Sequence, residues 1–82
     1  MKKGSFFDVR NVIGRKLRKV RIKKHLSQEG LAAKMQERDV KMSRQAISEI
    51  ERNQRQVMDY ELKCFCEVLE IDPKDLLEDF LK

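Results

Sequence analysis

Three helix starts in this chain are written in the same local code. An apolar residue precedes a polar capping residue, and a second apolar residue follows four positions after the cap: Leu26, Ser27 and Leu31; Met42, Ser43 and Ile47; Ile71, Asp72 and Leu76. A Ser or Asp oxygen at the cap takes up one of the amide hydrogens a helix leaves unpaired at its start, and the flanking apolar pair fixes the angle of entry. In the third start Pro73 occupies the first helical position, where its missing N–H is harmless, and Asp75 completes a variant of the capping box. Periodicity supplies two more helices. Val9, Ile13, Leu17 and Val20 recur at helical spacing with Arg and Lys between them. They predict a first helix that begins near Asp8 or Asn11, either of which can cap it, and ends near His25. Gly14 inside that helix costs up to about 1 kcal/mol relative to Ala, which points to close packing there. Leu62, Phe65, Cys66 and Leu69 mark a further helix over about 59–70, with Asp59 as its natural cap. The expectation is an all-α fold of five helices.

Composition agrees. One proline and three glycines in 82 residues do not supply the turns of an all-β fold, and 40% charged with 6% aromatic residues suits helices with solvated faces. The length suits one domain, drawn here over 8–82, with a flexible arm at 1–7 and a loose end near Lys82. No apolar run approaches the ~18 residues that span a bilayer, and Met1, Lys2 and Lys3 do not open a signal peptide, so a cytoplasmic protein without membrane contact is expected. Cys64 and Cys66 point to nearly opposite sides of a helix, which argues against a disulfide or a shared metal site. Cys66 is in phase with the apolar stripe, whereas Cys64 is expected to be more exposed. His25, the only histidine, stands among lysines without a carboxylate or thiol to make a catalytic set, and reads as a helix-end residue. No phosphate-binding glycine loop, nucleophile motif or metal-ligand cluster occurs, so neither an enzyme nor a cofactor is expected. Phe6 and Phe7 either cover the core or belong to an exposed interaction patch.

The net charge of +5 is strongly polarised: +9 over residues 1–26, +1 over 27–58 and −5 over 59–82. One end attracts a polyanion and the other avoids it, which makes nucleic acid the natural partner, although a lysine-rich face can also serve solubility alone.

The segment 27–51 carries the chemistry. Ala32, Ala33 and Ala46 are small residues where two short helices can cross closely, and Leu31, Ile47 and Ile50 bury the inner faces. The outer face of the third helix then presents Arg44, Gln45, Ser48, Glu49 and Arg52, long hydrogen-bonding side chains on a helix of a size that fits a major groove. Arg can contact guanine O6 and N7, Gln can contact adenine N6 and N7, and Ser can serve several bases. Glu49 either accepts from cytosine N4 or belongs to a surface network, because a carboxylate near phosphates is repelled. For Arg44 and Gln45 the alternative is an ordinary polar helix surface.

Several blocks of the chain, in order, resemble the lambda-repressor-like, or Cro-type, helix-turn-helix regulators over about residues 13–77. They are Ile13, Gly14, Leu17, Arg18 and Arg21; Leu26, Ser27, Gln28, Leu31 and Ala32; Ile47, Ser48, Ile50 and Glu51; and the segments 62–69 and 72–77. The resemblance implies a five-helix bundle whose third helix enters the major groove, with base-reading positions at Arg44, Gln45, Ser48 and Glu49. It implies a phosphate contact at Gln28 and an Arg21–Glu51 pair tying the first helix to the end of the third. Ser43, Arg18, Arg52, Asn53 and Arg55 are further candidates for DNA-backbone contacts by type and location, with solvated surface polarity as the alternative for each. Three features depart from the family pattern. The connection 36–42 replaces a turn of three or four residues, with Val40 and Met42 able to pack down and hold it. Asp39 and Asn53 stand for glycines and tolerate the left-handed conformation. Glu70 also stands where the family has glycine, so that turn is expected to be built differently. Regulators of this kind usually bind two half-sites about 34 Å apart as dimers, and Leu76, Leu77, Phe80 and Leu81 could supply the dimer contact or close the core. Two readings follow: a sequence-specific transcriptional regulator of double-stranded DNA acting as a homodimer, or a helical module that binds mainly another protein, such as an antitoxin-like component.

Overall fold

The computed structural model describes residues 10–81, with side chains described over 10–77. Both serines act as caps. Ser27 Oγ accepts from the Gly30 amide at 2.9 Å and Ser43 Oγ from the Ala46 amide at 3.0 Å, opening the helices Gln28–Glu37 and Arg44–Glu51. The Asp72 amide donates to the Asp75 carboxylate at 3.0 Å, and Pro73 begins the helix Pro73–Leu81. The first helix, Gly14–Lys23, starts three residues after Asn11, yet Asn11 still caps it: its Oδ1 accepts from the amides of Ile13 and Gly14 at 3.0 and 2.8 Å. Asp8 and Val9 lie outside the described residues. The remaining helix, Asp59–Leu69, departs from expectation, because Met58 rather than Asp59 occupies the cap position. Glu61 compensates by turning back to accept from the Met58 amide at 2.9 Å. Asp59 falls in the first turn instead, where its charge faces the positive end of the helix. In chain order these five helices are α1 to α5, and no strand occurs among the described residues.

Four helices end in the same way. His25, Asp39, Asn53 and Glu70 all take left-handed backbone angles, with φ of 62°, 64°, 62° and 58°. Each donates its amide three residues back, and the next residue donates five residues back: Leu26 to Arg21, Val40 to Met35, Gln54 to Glu49 and Ile71 to Cys66. This pattern satisfies carbonyls that the helix end would otherwise leave unpaired. In three cases the residue after the turn is apolar, and Leu26, Val40 and Ile71 pack against the core. That apolar anchor offsets the strain of a non-glycine residue in the left-handed region. The turn at Glu70 is therefore built in the same manner as the others, contrary to expectation. The long connection also differs in extent: α2 continues through Glu37, and the link to α3 is 38–43, pinned by half-buried Val40 and buried Met42.

The core is centred on Phe65, with Leu17, Leu31, Met35, Ile47, Ile50, Leu69 and Leu76 equally removed from water. α3 packs on α1 and α2, while α4 lies between α2 and α5, and α5 also touches α1. Because α4 is covered on two sides, consecutive residues Cys64, Phe65 and Cys66 are all buried. The expected exposure of Cys64 is thus overturned. Burial pushes both thiols above their ordinary pKa, with Glu67 adding to the effect at Cys64 and Asp75 at Cys66. They are protonated core residues at neutral pH. Ala46 is buried and Ala32 half-buried at the α2–α3 crossing, but Ala33 faces solvent and takes no part in it. Leu76 closes the core and is not available as a dimer contact, and Leu77 packs beside it. The side chains of Phe80 and Leu81, like Phe6, Phe7 and the arm 1–7, lie outside the described residues.

Gly14 marks the tightest approach of two helices. A Cβ there would stand 2.2 Å from the Ile50 carbonyl oxygen and 2.8 Å from Asn53 Nδ2. The carbonyl belongs to a helix backbone and cannot swing aside, so α1 and α3 would have to separate. Gly14→Ala is expected to lose about 1–3 kcal/mol despite its better helix propensity, read as a lower urea midpoint at unchanged slope. An equal or higher midpoint would show that the two helices part easily.

Candidate nucleic-acid interface

A buried ion pair fixes α3 in place. Arg21 Nε donates to Glu51 Oε2 at 2.6 Å and its Nη2 to Glu51 Oε1 at 3.1 Å, with side chains 10% and 2% exposed. The third edge of the guanidinium, Nη1, donates to the Leu26 carbonyl at 2.7 Å. Gln28 Nε2 completes the set by donating to Glu51 Oε1 at 3.0 Å. The ion pair thus joins α1, the α1–α2 turn, α2 and the last turn of α3. Among the described residues every buried side-chain polar atom has a hydrogen-bond partner, the condition under which a buried charge pair is tolerable.

A second fastening holds the segment after α3. Asn53 Nδ2 donates to the Asn11 carbonyl at 3.1 Å and to Asn11 Oδ1 at 3.2 Å. Asn11 Nδ2 returns two bonds, to the Ile50 carbonyl at 3.1 Å and the Arg55 carbonyl at 2.8 Å. The Arg10 amide adds a bond to the Asn53 carbonyl at 3.0 Å.

With its inner face and its end so held, α3 turns a polar face to solvent. Arg44 and Gln45 are exposed in its first turn, Ser48 and Glu49 are half-buried one turn on, and Arg52 is exposed just beyond the end. Gln45 Nε2 lies 3.5 Å from Glu49 Oε2, and Arg55 Nη1 lies 3.9 Å from Glu49 Oε1. Glu49 is therefore flanked by two donors and offset by a cation. Arg52 Nε donates to the Ser48 carbonyl at 3.3 Å. Arg44 Nη1 reaches Gln28 Oε1 at 3.4 Å, which places α2's first residue beside the first residue of α3.

A helix-turn-helix family model matches residues 17–76. The chain belongs to the lambda-repressor/Cro-like helix-turn-helix family. It is a family of DNA-binding regulators, which supports double-stranded DNA binding by this helix-turn-helix. Searches of curated proteins and of solved structures return no significant match.

Within this helix-turn-helix the sequence-derived candidates divide into three groups. Arg44, Gln45, Ser48, Glu49, Arg52 and Arg55 share one face, with Gln28 joined to it through Arg44. Arg18 is exposed on α1, and among the described residues no hydrogen bond or ion pair joins it to that face. Ser43 and Asn53 carry structural duties. The Ser43 oxygen caps α3, leaving its hydroxyl hydrogen to donate elsewhere, and the Asn53 amide is engaged with Asn11. Gln28 has one of its two amide hydrogens on Glu51 and keeps the other.

Sequence reasoning missed Lys41. In the connection 38–43 side chains alternate, with Val40 and Met42 turned inward and Lys41 and Ser43 turned outward. Lys41, Ser43, Arg44, Gln36 and Ala33 line one depression at the mouth of the α2–α3 unit. The apolar–polar alternation was the available signal. Local pattern marks Asn11 only as a cap, and its contacts 39 to 44 positions along the chain are invisible to that pattern. Among the described residues no three His, Cys, Asp or Glu side chains converge as metal ligands.

Arg21→Ala leaves the Glu51 carboxylate buried with Gln28 alone and is expected to cost about 3–5 kcal/mol of stability together with a loss of DNA affinity. Urea denaturation and a binding isotherm check the two effects. Unchanged stability would remove the pair as the fastening of α3.

Proposed function

We propose that the chain is a sequence-specific transcriptional regulator that inserts α3 into the major groove of double-stranded DNA. The observation that carries this reading is the division of α3 itself. Ala46, Ile47 and Ile50 are buried and Glu51 is fastened, while Arg44 and Gln45 stand exposed at the opposite face of the same helix. The leading turn of a recognition helix is the part that reaches base edges. Arg44 suits guanine O6 and N7, Gln45 suits adenine N6 and N7, and Ser48 donates or accepts one turn further in. Glu49, flanked by Gln45 and Arg55, serves chiefly to orient Gln45, and an acceptor for cytosine N4 remains within its chemistry.

Phosphate contacts surround this centre. Lys41 and the Ser43 hydroxyl lie at the leading end of α3, Arg52 and Arg55 at its trailing end, where Asn53 with its amide engaged by Asn11 holds the segment rather than a phosphate, and Gln28 and Arg18 on the preceding helices. Cations placed around a reading helix fix its register without carrying sequence information. One helix of eight residues reads few base pairs, so the protein acts as a homodimer on two half-sites about 34 Å apart.

Selection from a random duplex library at fixed salt tests this reading. The parent is expected to enrich one motif in two half-sites. Arg44→Ala is expected to relax one base position by about 1–3 kcal/mol of discrimination. Lys41→Ala should keep the motif while the slope of log affinity against log salt falls by about 0.9. Salt-sensitive binding with no enriched motif would overturn the proposal.

A further inference from the structure

We propose that the groove between α4 and α5 binds the chain's own segment 2–9, with the phenylalanines at its apolar end and the lysines at its acidic end. Two depressions share Leu62 and so form one groove along the α4–α5 seam. The first is apolar, lined by Val12, Val57, Met58, Leu62 and Leu77, with Arg10 and Asn11 at its lip. Val12 and Met58 are each 50% exposed there, and large apolar side chains gathered on one rim mark a binding surface. The second depression is acidic. Asp59, Glu67, Glu70, Asp72 and Asp75 line it, with Lys63 the one cation among the described residues around it.

Three of those carboxylates are spare. Arg38 pairs with Glu67 at 3.0 Å, and Asp75 accepts from the Asp72 amide. Asp59, Glu70 and Asp72 make no ion pair among the described residues. The Cys66 thiol on the wall of this depression is pushed upward in pKa by burial and then by Asp75, Asp72 and Glu67, a sign of the negative potential there.

The chain before Arg10 runs in the same order as the groove. Counting back from Arg10 it offers Val9, Asp8, Phe7 and Phe6, then Ser5 and Gly4, then Lys3 and Lys2. Its point of entry is fixed, because the Arg10 amide donates to the Asn53 carbonyl at 3.0 Å and Asn11 Nδ2 bonds the carbonyls of Ile50 and Arg55. An extended chain spans at most ~3.3–3.6 Å per residue, so Phe7 can stand up to about 10 Å from Arg10 and Lys2 up to about 28 Å. α4 has 11 residues and is about 16 Å long, so each group reaches its own end of the groove. Asp8 stays at the end lined by Arg10, away from the carboxylates. Attachment through Arg10 gives the segment an effective concentration in the millimolar range, which favours it over a second copy in dilute solution.

Nuclear Overhauser contacts in the full chain test the proposal. The parent is expected to show contacts from the Phe6 or Phe7 ring to methyl groups of Val12, Met58, Leu62 and Leu77. They should persist on dilution and be absent between labelled and unlabelled chains in a mixed sample. Because they are read in the parent, the test does not depend on the stability of a variant. Phe6→Ser with Phe7→Ser should abolish them and lower the melting temperature by about 4–8 °C. Lys2→Glu with Lys3→Glu should move the amide signals of Asp59, Glu70 and Asp72, and about 1 M salt should move those of the parent in the same direction. Contacts found only between labelled and unlabelled chains would overturn the proposal in favour of a second copy as occupant. Absence of ring contacts in the parent, with methyl signals and melt unmoved by the phenylalanine changes, would overturn it outright. Silent lysine changes would overturn the charge-matched alignment.

Discussion

The bidentate pair between Arg21 and Glu51 is the contact on which the rest of the arrangement depends. An ion pair taken out of water recovers its desolvation cost only when the remaining donors and acceptors are also satisfied. Here the Leu26 carbonyl and the Gln28 amide complete it. The pair contributes position more than net energy. Glu51 is the last residue of α3, so gripping its carboxylate from α1 and α2 fixes how far the helix projects and which way it is turned. The close approach at Gly14 and the Asn11–Asn53 clasp act on the same end of the same helix. Three independent fastenings at one end leave the other end, with Arg44 and Gln45, presented from a rigid base.

Helix ends explain how so small a chain with few glycines builds four sharp turns. Each left-handed position is held by a residue that is strained there, and most are offset by an apolar side chain that follows and enters the core. The connection 38–43 uses this device at its start, through Asp39 and Val40, and then runs extended to the Ser43 cap. Its length consequently does not loosen the α2–α3 unit. It adds an outward lysine where a shorter turn has room for none.

What could be read in the sequence was local. The caps at Ser27, Ser43 and Asp72, the apolar stripes and the close packing at Gly14 follow from spacings within one turn or two. Asp39 and Asn53 were legible because their side chains tolerate the left-handed region, whereas His25 and Glu70 adopt it only because Leu26 and Ile71 pull the chain inward. Met58 at a cap position makes sense only once Glu61 is seen to fold back. Cys64 is buried because α4 is flanked by two helices, a tertiary fact that a single stripe cannot express. In the site, the polar face of α3 was legible by helical period. The links from Gln28 to Glu51 and Arg44, and from Asn11 to Asn53, join residues 16 to 42 positions apart and required the fold.

The proposed docking of α3 in the major groove is tested most directly by dimethyl sulfate footprinting on a selected duplex. This reagent methylates guanine N7 in the major groove and adenine N3 in the minor groove. Protection of guanine N7 within each half-site, with adenine N3 left reactive, is the expected result. Protection of adenine N3 with guanine N7 still reactive would place the protein in the other groove and contradict the account.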